Sequence, residues 1–188
     1  MTKFKSMFAA LSLGLAGLAS AAPVVQLSTV GDLTVGSSFV LRVDLDQPFD
    51  GLTAGADLLT FGFALSYDTS VLQLSGFTPD AGWDDDSIFL GAGQFGGSHF
   101  PGVANTGQAS LRLATLTFQV LGAGQTLVDL SSDPTDFNMG LYYSTELSAR
   151  PLEASLALPL ANSVPEPASA LLVLAGLFGL CAARRYSF

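Results

Sequence analysis

The sequence predicts an all-β fold, an antiparallel two-sheet sandwich flanked by an N-terminal signal helix and a C-terminal single transmembrane helix. Apolar residues recur at every second position through most of the middle of the chain, which is the period of a strand with one buried face. Clusters of Gly, Pro, Asn and Asp separate these runs, as tight connections demand. An uncharged apolar stretch stands near each end.

In chain order, Lys3 and Lys5 precede an apolar stretch from Met7 to Leu18, and Ala19, Ser20 and Ala21 supply the small residues of a signal-peptidase site. The stretch is too short to span a bilayer. Residues 1–21 are therefore expected to be a signal peptide. Cleavage after Ala21 is preferred to cleavage after Ala22, which would leave Pro23 at the new N-terminus, so the mature chain is expected to begin at Ala22.

Residues 22–160 form the expected sandwich domain, a length of about 140 residues that fits one core. Phe39, Leu41, Val43 and Leu45 share one strand face. Leu59, Phe61, Phe63, Leu65 and Tyr67 share another. Leu111 and Leu113 are followed by a break at Ala114 and then by Leu116, Phe118 and Val120. Val128 and Leu130, then Phe137, Met139, Leu141 and Tyr143, then Leu152, Ala154, Leu156, Leu158 and Leu160 complete the series. The segments 51–55, 79–86, 91–97, 101–107, 122–124 and 131–136 read as turns. About eight or nine short strands, each with one apolar face, need a second sheet to cover them.

Composition narrows the function. Through Ser163 the exported segment holds three arginines against fifteen carboxylates, a net charge of −12, which repels nucleic acid and anionic lipid. The only cysteine, Cys181, lies near the C-terminus, so no disulfide staples the domain. His99 is the sole histidine, which rules out a multi-histidine metal site, and Ser98 beside it lacks a nucleophile-elbow setting. Gly91, Gly93 and Gly96 satisfy a dinucleotide-loop spacing without a following helix and read as a flexible loop. The pentapeptide 90–94 recurs at 121–125, too little for a repeat architecture. Asp44, Asp46 and Asp50 fail as a calcium loop because Pro48 and Phe49 occupy places where an EF-hand needs a ligand and a glycine.

Two clusters remain as candidate sites. Asp84, Asp85 and Asp86, with Asp80, are either a calcium site or a solvated loop tip. Trp83, with Phe89, Phe95 and Phe100, is either a sugar-stacking platform or core filling. No pair of carboxylates can be placed across a cleft for glycoside hydrolysis, and no catalytic residue is assigned.

The segment Leu65 to Leu74 contains Tyr67-Asp68-Thr69-Ser70-Val71-Leu72, which resembles the Tyr-Asp-x-x-Val-Leu strand-turn segment of cohesin-like domains. Leu113 to Val120 is similar to their later apolar strand and precedes a Gly-rich turn. The resemblance implies a cohesin-like jelly roll, akin to carbohydrate-binding modules. In such a segment Asp68 caps the turn while Val71 and Leu72 pack beneath it.

The end of the chain carries a linker and break at 161–167, an uncharged apolar run at 168–183 and a basic tail at 184–188. The sixteen residues of the run would rise roughly 24 Å as a helix, short of the ~30 Å hydrocarbon core. Pro165 and Pro167 prevent the helix from starting earlier. Arg184 and Arg185 stay cytoplasmic by the positive-inside rule, which places Glu166 and all before it across the membrane. Val164, Pro165, Glu166 and Pro167, the apolar run and the arginine pair together resemble the PEP-CTERM sorting signal of Gram-negative bacteria. That resemblance implies an inner-membrane single-pass intermediate, processing by an exosortase near Pro165 to Pro167, and delivery to the surface or extracellular matrix among exopolysaccharide.

The expected function is therefore an exported, non-enzymatic structural, adhesive or carbohydrate-binding protein, with no cofactor unless calcium binds the acidic cluster. Signal peptidase, exosortase and the membrane are its expected processing partners, and exopolysaccharide or a surface protein its expected ligand. The alternatives are a membrane-anchored polysaccharide-modifying enzyme and a cohesin-like protein-binding module.

Overall fold

A computed structural model describes residues 22–162 apart from Pro134. Ala19 and Ala21 of the expected signal peptide, and the tail with Val164, Pro165, Glu166, Pro167, Arg184 and Arg185, lie outside the described residues. Ten strands follow one another: β1 (Val24–Gly31), β2 (Ser38–Asp46), β3 (Asp57–Ser66), β4 (Leu72–Pro79), β5 (Asp84–Asp85), β6 (Gln94–Ala104), β7 (Ser110–Val120), β8 (Gly124–Ser131), β9 (Gly140–Tyr143) and β10 (Ala154–Leu160). Among the described residues the only helical element is a 3-10 turn at Ser87–Phe89, and no helix is long and apolar enough to cross a membrane.

Alternation decides which sheet face is dry. In β2, Phe39, Leu41, Val43 and Leu45 are buried while Val40, Arg42 and Asp44 lie on the other face. Burying each large apolar side chain is worth roughly 1.5–3 kcal/mol, so every correctly phased strand adds a substantial drive to close the sandwich. The four-stranded sheet runs β1-β2-β7-β4 and faces a six-stranded sheet ordered β10-β8-β3-β6-β5, with β9 also paired to β3. β9 lies against Leu58 to Gly62 and β8 against Ala64 to Ser66, while β6 takes the opposite edge of β3. Phe39 stacks on Phe118 at 5.4 Å, and the ring of Tyr67 meets Phe118 edge-on at 5.1 Å. Asp68 caps its turn as the sequence implies: one carboxylate oxygen accepts from the Ser70 N–H at 2.8 Å and from its hydroxyl at 2.6 Å.

Several sequence expectations change. The break at Ala114 is a bulge within one continuous β7, where Leu113 and Ala114 are both buried. A second bulge between Leu58 and Thr60 reverses the phase of β3, so Leu58 enters the core and Leu59 turns outward. The glycine segments read as loops at 91–97 and 101–107 fall largely within β6. Their glycines serve close approach: a Cβ on Gly97 would sit 2.8 Å from the Asp84 carbonyl oxygen, and one on Gly96 would sit 2.7 Å from that of Phe61. The run from Phe137 shortens to β9, leaving Phe137 exposed. β1 also forms, although it was absent from the expected set.

The sandwich has two distinguishable ends. Ala161 bonds to Leu33 and Val35 beside the Gly36–Val120 contact, which fixes one end. Val24 pairs with Asp46 at the other, near the Gln47–Ala109 bond and the Asp57–Ser144 contact.

Candidate functional site

Thr60 stands at the middle of β3 and its hydroxyl donates to the Phe137 carbonyl oxygen at 3.3 Å. It borders two hollows. One, of about 290 Å³, is walled by Phe89, Leu90 and Asn138 over the backbone of Gly96 and Gly97, with Asp86 as its one carboxylate. The other, of about 480 Å³, is bounded by Leu59, His99, Phe100, Pro101 and Ser144. Because Thr60 lines both, they form one strip across β3 and β6.

Phe89 and Phe100 line this strip, Ile88 precedes Phe89, and Phe137 adjoins it through Thr60. Phe100 is 94 % exposed, Ile88 80 %, Phe89 78 % and Phe137 52 %. Scattered exposed apolar residues are ordinary, whereas several gathered around a concavity mark a contact surface. Phe89 is held by the 3-10 turn, whose start is fixed by Asp85 accepting from the Ser87 N–H at 2.9 Å. Phe137 is propped edge-on against Tyr142 at 5.1 Å. Glycines at 62 and 96 keep the floor low, since a Cβ at Gly62 would come within 1.8 Å of the Asn138 carbonyl oxygen.

The candidate residues fall out differently from their sequence grouping. Trp83 is only 8 % exposed, its ring edge-on to Phe61 at 4.9 Å and to His99 at 5.7 Å, so it fills the core and offers no face to a sugar. Phe95 packs against Phe63 and Phe77. Of the four aromatics grouped in the sequence, Phe89 and Phe100 alone reach the surface prominently.

Asp80, Asp84, Asp85 and Asp86 had two readings, a calcium site or a solvated loop tip. Asp84 and Asp85 are successive residues of β5, paired with Ser98 and Gly97, and successive strand side chains point to opposite faces. Asp85 is engaged with Ser87. Among the described residues no group of three or more His, Cys, Asp or Glu is arranged to hold a metal ion. His99 sits in β6 rather than in a loop, and its buried Nδ1 has no hydrogen-bond partner among the described residues, so no carboxylate orients it for a relay with Ser98.

Thr60, Leu59, Pro101, Phe137 and Tyr142 were not singled out as site residues. The sequence holds one signal for part of the strip: Ile88-Phe89-Leu90 is an apolar triplet that follows three aspartates and fits neither strand nor helix period.

No protein-family model matches the sequence, and no curated protein matches it. Among solved structures the chain is similar to a cohesin module from the family 33 glycoside hydrolase of Clostridium perfringens, with a TM-score of 0.59 and 10 % identity over 76 % of this chain and 98 % of that one. It is also matched, at a TM-score of 0.48 and 19 % identity, to the sixth cohesin of scaffoldin B from Acetivibrio cellulolyticus, solved in complex with a Cel5 dockerin mutant; that match covers 74 % of this chain and 99 % of that one. The seventh ScaB type I cohesin from Pseudobacteroides cellulosolvens follows at 0.46 and 14 %, over 77 % and 96 %. The likeness to the first of these shows the fold: residues 22–162 form a cohesin-like two-sheet β-sandwich.

Proposed function

We propose that this protein is an exported, non-catalytic binding module that captures a partner protein on the outer face of its six-stranded sheet. The observation that carries the reading is the strip joining the two hollows at Thr60, lined by the exposed rings of Phe89 and Phe100. Asp86 lines it and Asp84 stands beside it on the same face as Ser98 and Thr60, so the partner that fits presents apolar side chains flanked by Lys or Arg. A polysaccharide-modifying enzyme fits less well, because the enclosed hollow has a single carboxylate, Asp86, where glycoside hydrolysis uses two.

Export rests on the signal sequence ending at Ala19 to Ala21 and on the tail. In this reading signal peptidase releases Ala22, the 168–183 helix holds the chain in the inner membrane with Arg184 and Arg185 inside, and an exosortase acts near Pro165 to Pro167. The domain then reaches the surface or the exopolysaccharide matrix. The linker from Ala161 to Val164 is short, so the end of the sandwich that carries Ala161 faces the membrane.

Both halves are testable. Intact mass of the surface fraction should give Ala22 as the first residue and a C-terminus near Pro165 to Pro167; an intact Phe188 there contradicts the sorting. A partner captured from envelope extract should be lost on the combined Phe89→Ser and Phe100→Ser exchange with the melting temperature unchanged, and should weaken with salt. Retention by that variant contradicts the strip as the binding face.

A further inference from the structure

At the end of the sandwich opposite Ala161, the loop after β2 meets the loop between β6 and β7 across a hollow of about 200 Å³ lined by Gln47, Phe49, Asp50, Asn105, Gly107 and Gln108. It lies apart from the aromatic strip and shares no lining residue with it. Gln47 is the one non-glycine residue with a left-handed backbone among the described residues, at φ 48°. Its N–H donates to the Ala109 carbonyl oxygen at 2.8 Å, and its own carbonyl accepts from the Asp50 N–H at 3.0 Å. A conformation unfavourable to any residue with a Cβ is thus pinned from both sides, and the side chain it presents is a long carboxamide.

The polar groups divide into those already engaged and those still free to bind. The Gln108 carboxamide accepts from the N–H and hydroxyl of Thr106 and donates to the Ala104 carbonyl oxygen. The Asn105 side-chain oxygen accepts from the Gly107 N–H, and one Asp50 oxygen accepts from the Gly51 N–H. Asn105 Nδ2, both ends of the Gln47 carboxamide and the second Asp50 oxygen have no side-chain hydrogen bond among the described residues. Two donors and two acceptors thus stand around one small hollow with Phe49 in its wall.

From this arrangement we propose that the hollow is a subsite for one neutral pyranose ring. Each sugar hydroxyl both donates and accepts, so neighbouring hydroxyls match mixed carboxamide and carboxylate partners. The lining holds no cationic side chain, and Asp50 repels phosphates, sulfates and uronates. A single carboxylate is a poor calcium site, since that ion takes six to eight oxygens. The volume is below the ~300 Å³ lower bound of drug-sized pockets, which suits one ring rather than an oligosaccharide.

The full-length chain in mild detergent would be studied by saturation-transfer NMR with glucose, galactose and mannose separately, and with glucuronic acid as the anionic counterpart. At least one neutral hexose should receive saturation, and glucuronic acid should not. Gln47→Gly and Asn105→Ala should each weaken binding roughly fivefold, the loss of about one hydrogen bond. Gln47→Gly relieves the left-handed backbone, so its melting temperature should be no lower than that of the parent chain, which separates lost binding from lost folding. The proposal is overturned if none of the three hexoses is saturated, if glucuronic acid binds as well as they do, or if the combined Gln47→Gly and Asn105→Ala chain binds undiminished. It is equally overturned if Phe89→Ser with Phe100→Ser abolishes hexose binding, since the sugar would then belong to the strip. Failure here leaves the protein-binding reading standing, because the two sites share no residue.

Discussion

The phenol of Tyr143, at the end of β9, is fully buried and donates to the Pro48 carbonyl oxygen at 2.5 Å. Burial raises its pKa well above the ordinary phenol value, with Arg150 nearby acting in the opposite direction. The folded phenol therefore stays neutral while the unfolded one ionises near pH ~10. Its stabilisation is complete below that pH and is lost as the pH climbs through the folded value. Tyr143→Phe leaves the Pro48 carbonyl unpaired and should cost about 1–2 kcal/mol at neutral pH. Above pH ~10 the variant should lose stability less steeply than the parent, as urea midpoints across that range would show. Asp68 gives the opposite sign. The Ser70 hydroxyl first, then its N–H, hold the Asp68 carboxyl below its usual range. That contribution exists above the unfolded value and fades as the pH falls through the folded one, so Asp68→Ala should lower the midpoint at neutral pH and converge with the parent below pH ~4. Asp68 was legible as a cap because an Asx turn is written in three adjacent residues. Core filling was one of the two readings of Trp83, but the partners that settle it were not legible, because Phe61 and His99 arrive from other strands.

At the scale of the element, β3 is the strand on which the six-stranded sheet is assembled, with β6, β8 and β9 all hydrogen-bonded to it. Gly62 makes room for the third of these. A Cβ there would lie 1.8 Å from the Asn138 carbonyl oxygen, a backbone atom that cannot step aside without moving the start of β9. Gly62→Ala should cost about 3 kcal/mol, the upper part of the range for overpacking, and thermal melts should register it. Gly76→Ala is the matched control: its Cβ would meet nothing closer than 3.9 Å, so its midpoint should move far less. Other glycines, at 96, 97 and 102, explain why β6 escapes the sequence reading. Glycine weakens a strand and usually punctuates a turn, so Gln94 to Ala104 looks like loop until Phe61 and Asp84 are seen against its backbone. Bulges were half legible: the interruption at Ala114 breaks the alternation visibly, whereas Leu58 and Leu59 are both leucine and give no sign of which one faces inward.

For the molecule as a whole, the sandwich was readable because alternation is local, while the strip was not, because it joins Thr60 to Phe137 across 77 positions of sequence. Charge is a property of this scale too, and it sets the response to salt. Three arginines and fifteen carboxylates between Ala22 and Ser163 leave a net charge of −12, and two of those arginines are already engaged, Arg112 with Asp44 and Arg150 with Glu146. Salt weakens those two pairs and also screens the repulsion among the carboxylates, so the sign depends on which is larger. Partly exposed ion pairs are worth about 0–1 kcal/mol each, and screening removes only part of that. The repulsion acts over every pair of unneutralised aspartates within a Debye length, which is ~30 Å at 0.01 M and ~8 Å at 0.15 M ionic strength. A domain of this size fits largely inside the first distance and extends beyond the second, so raising salt switches off most of the repulsive sum while costing at most two short attractions. The melting temperature of the full-length chain in nonionic detergent should therefore rise between those two conditions. A fall would mean that the Arg112 and Arg150 pairs outweigh the net charge, and Arg150→Met would then abolish much of the salt effect.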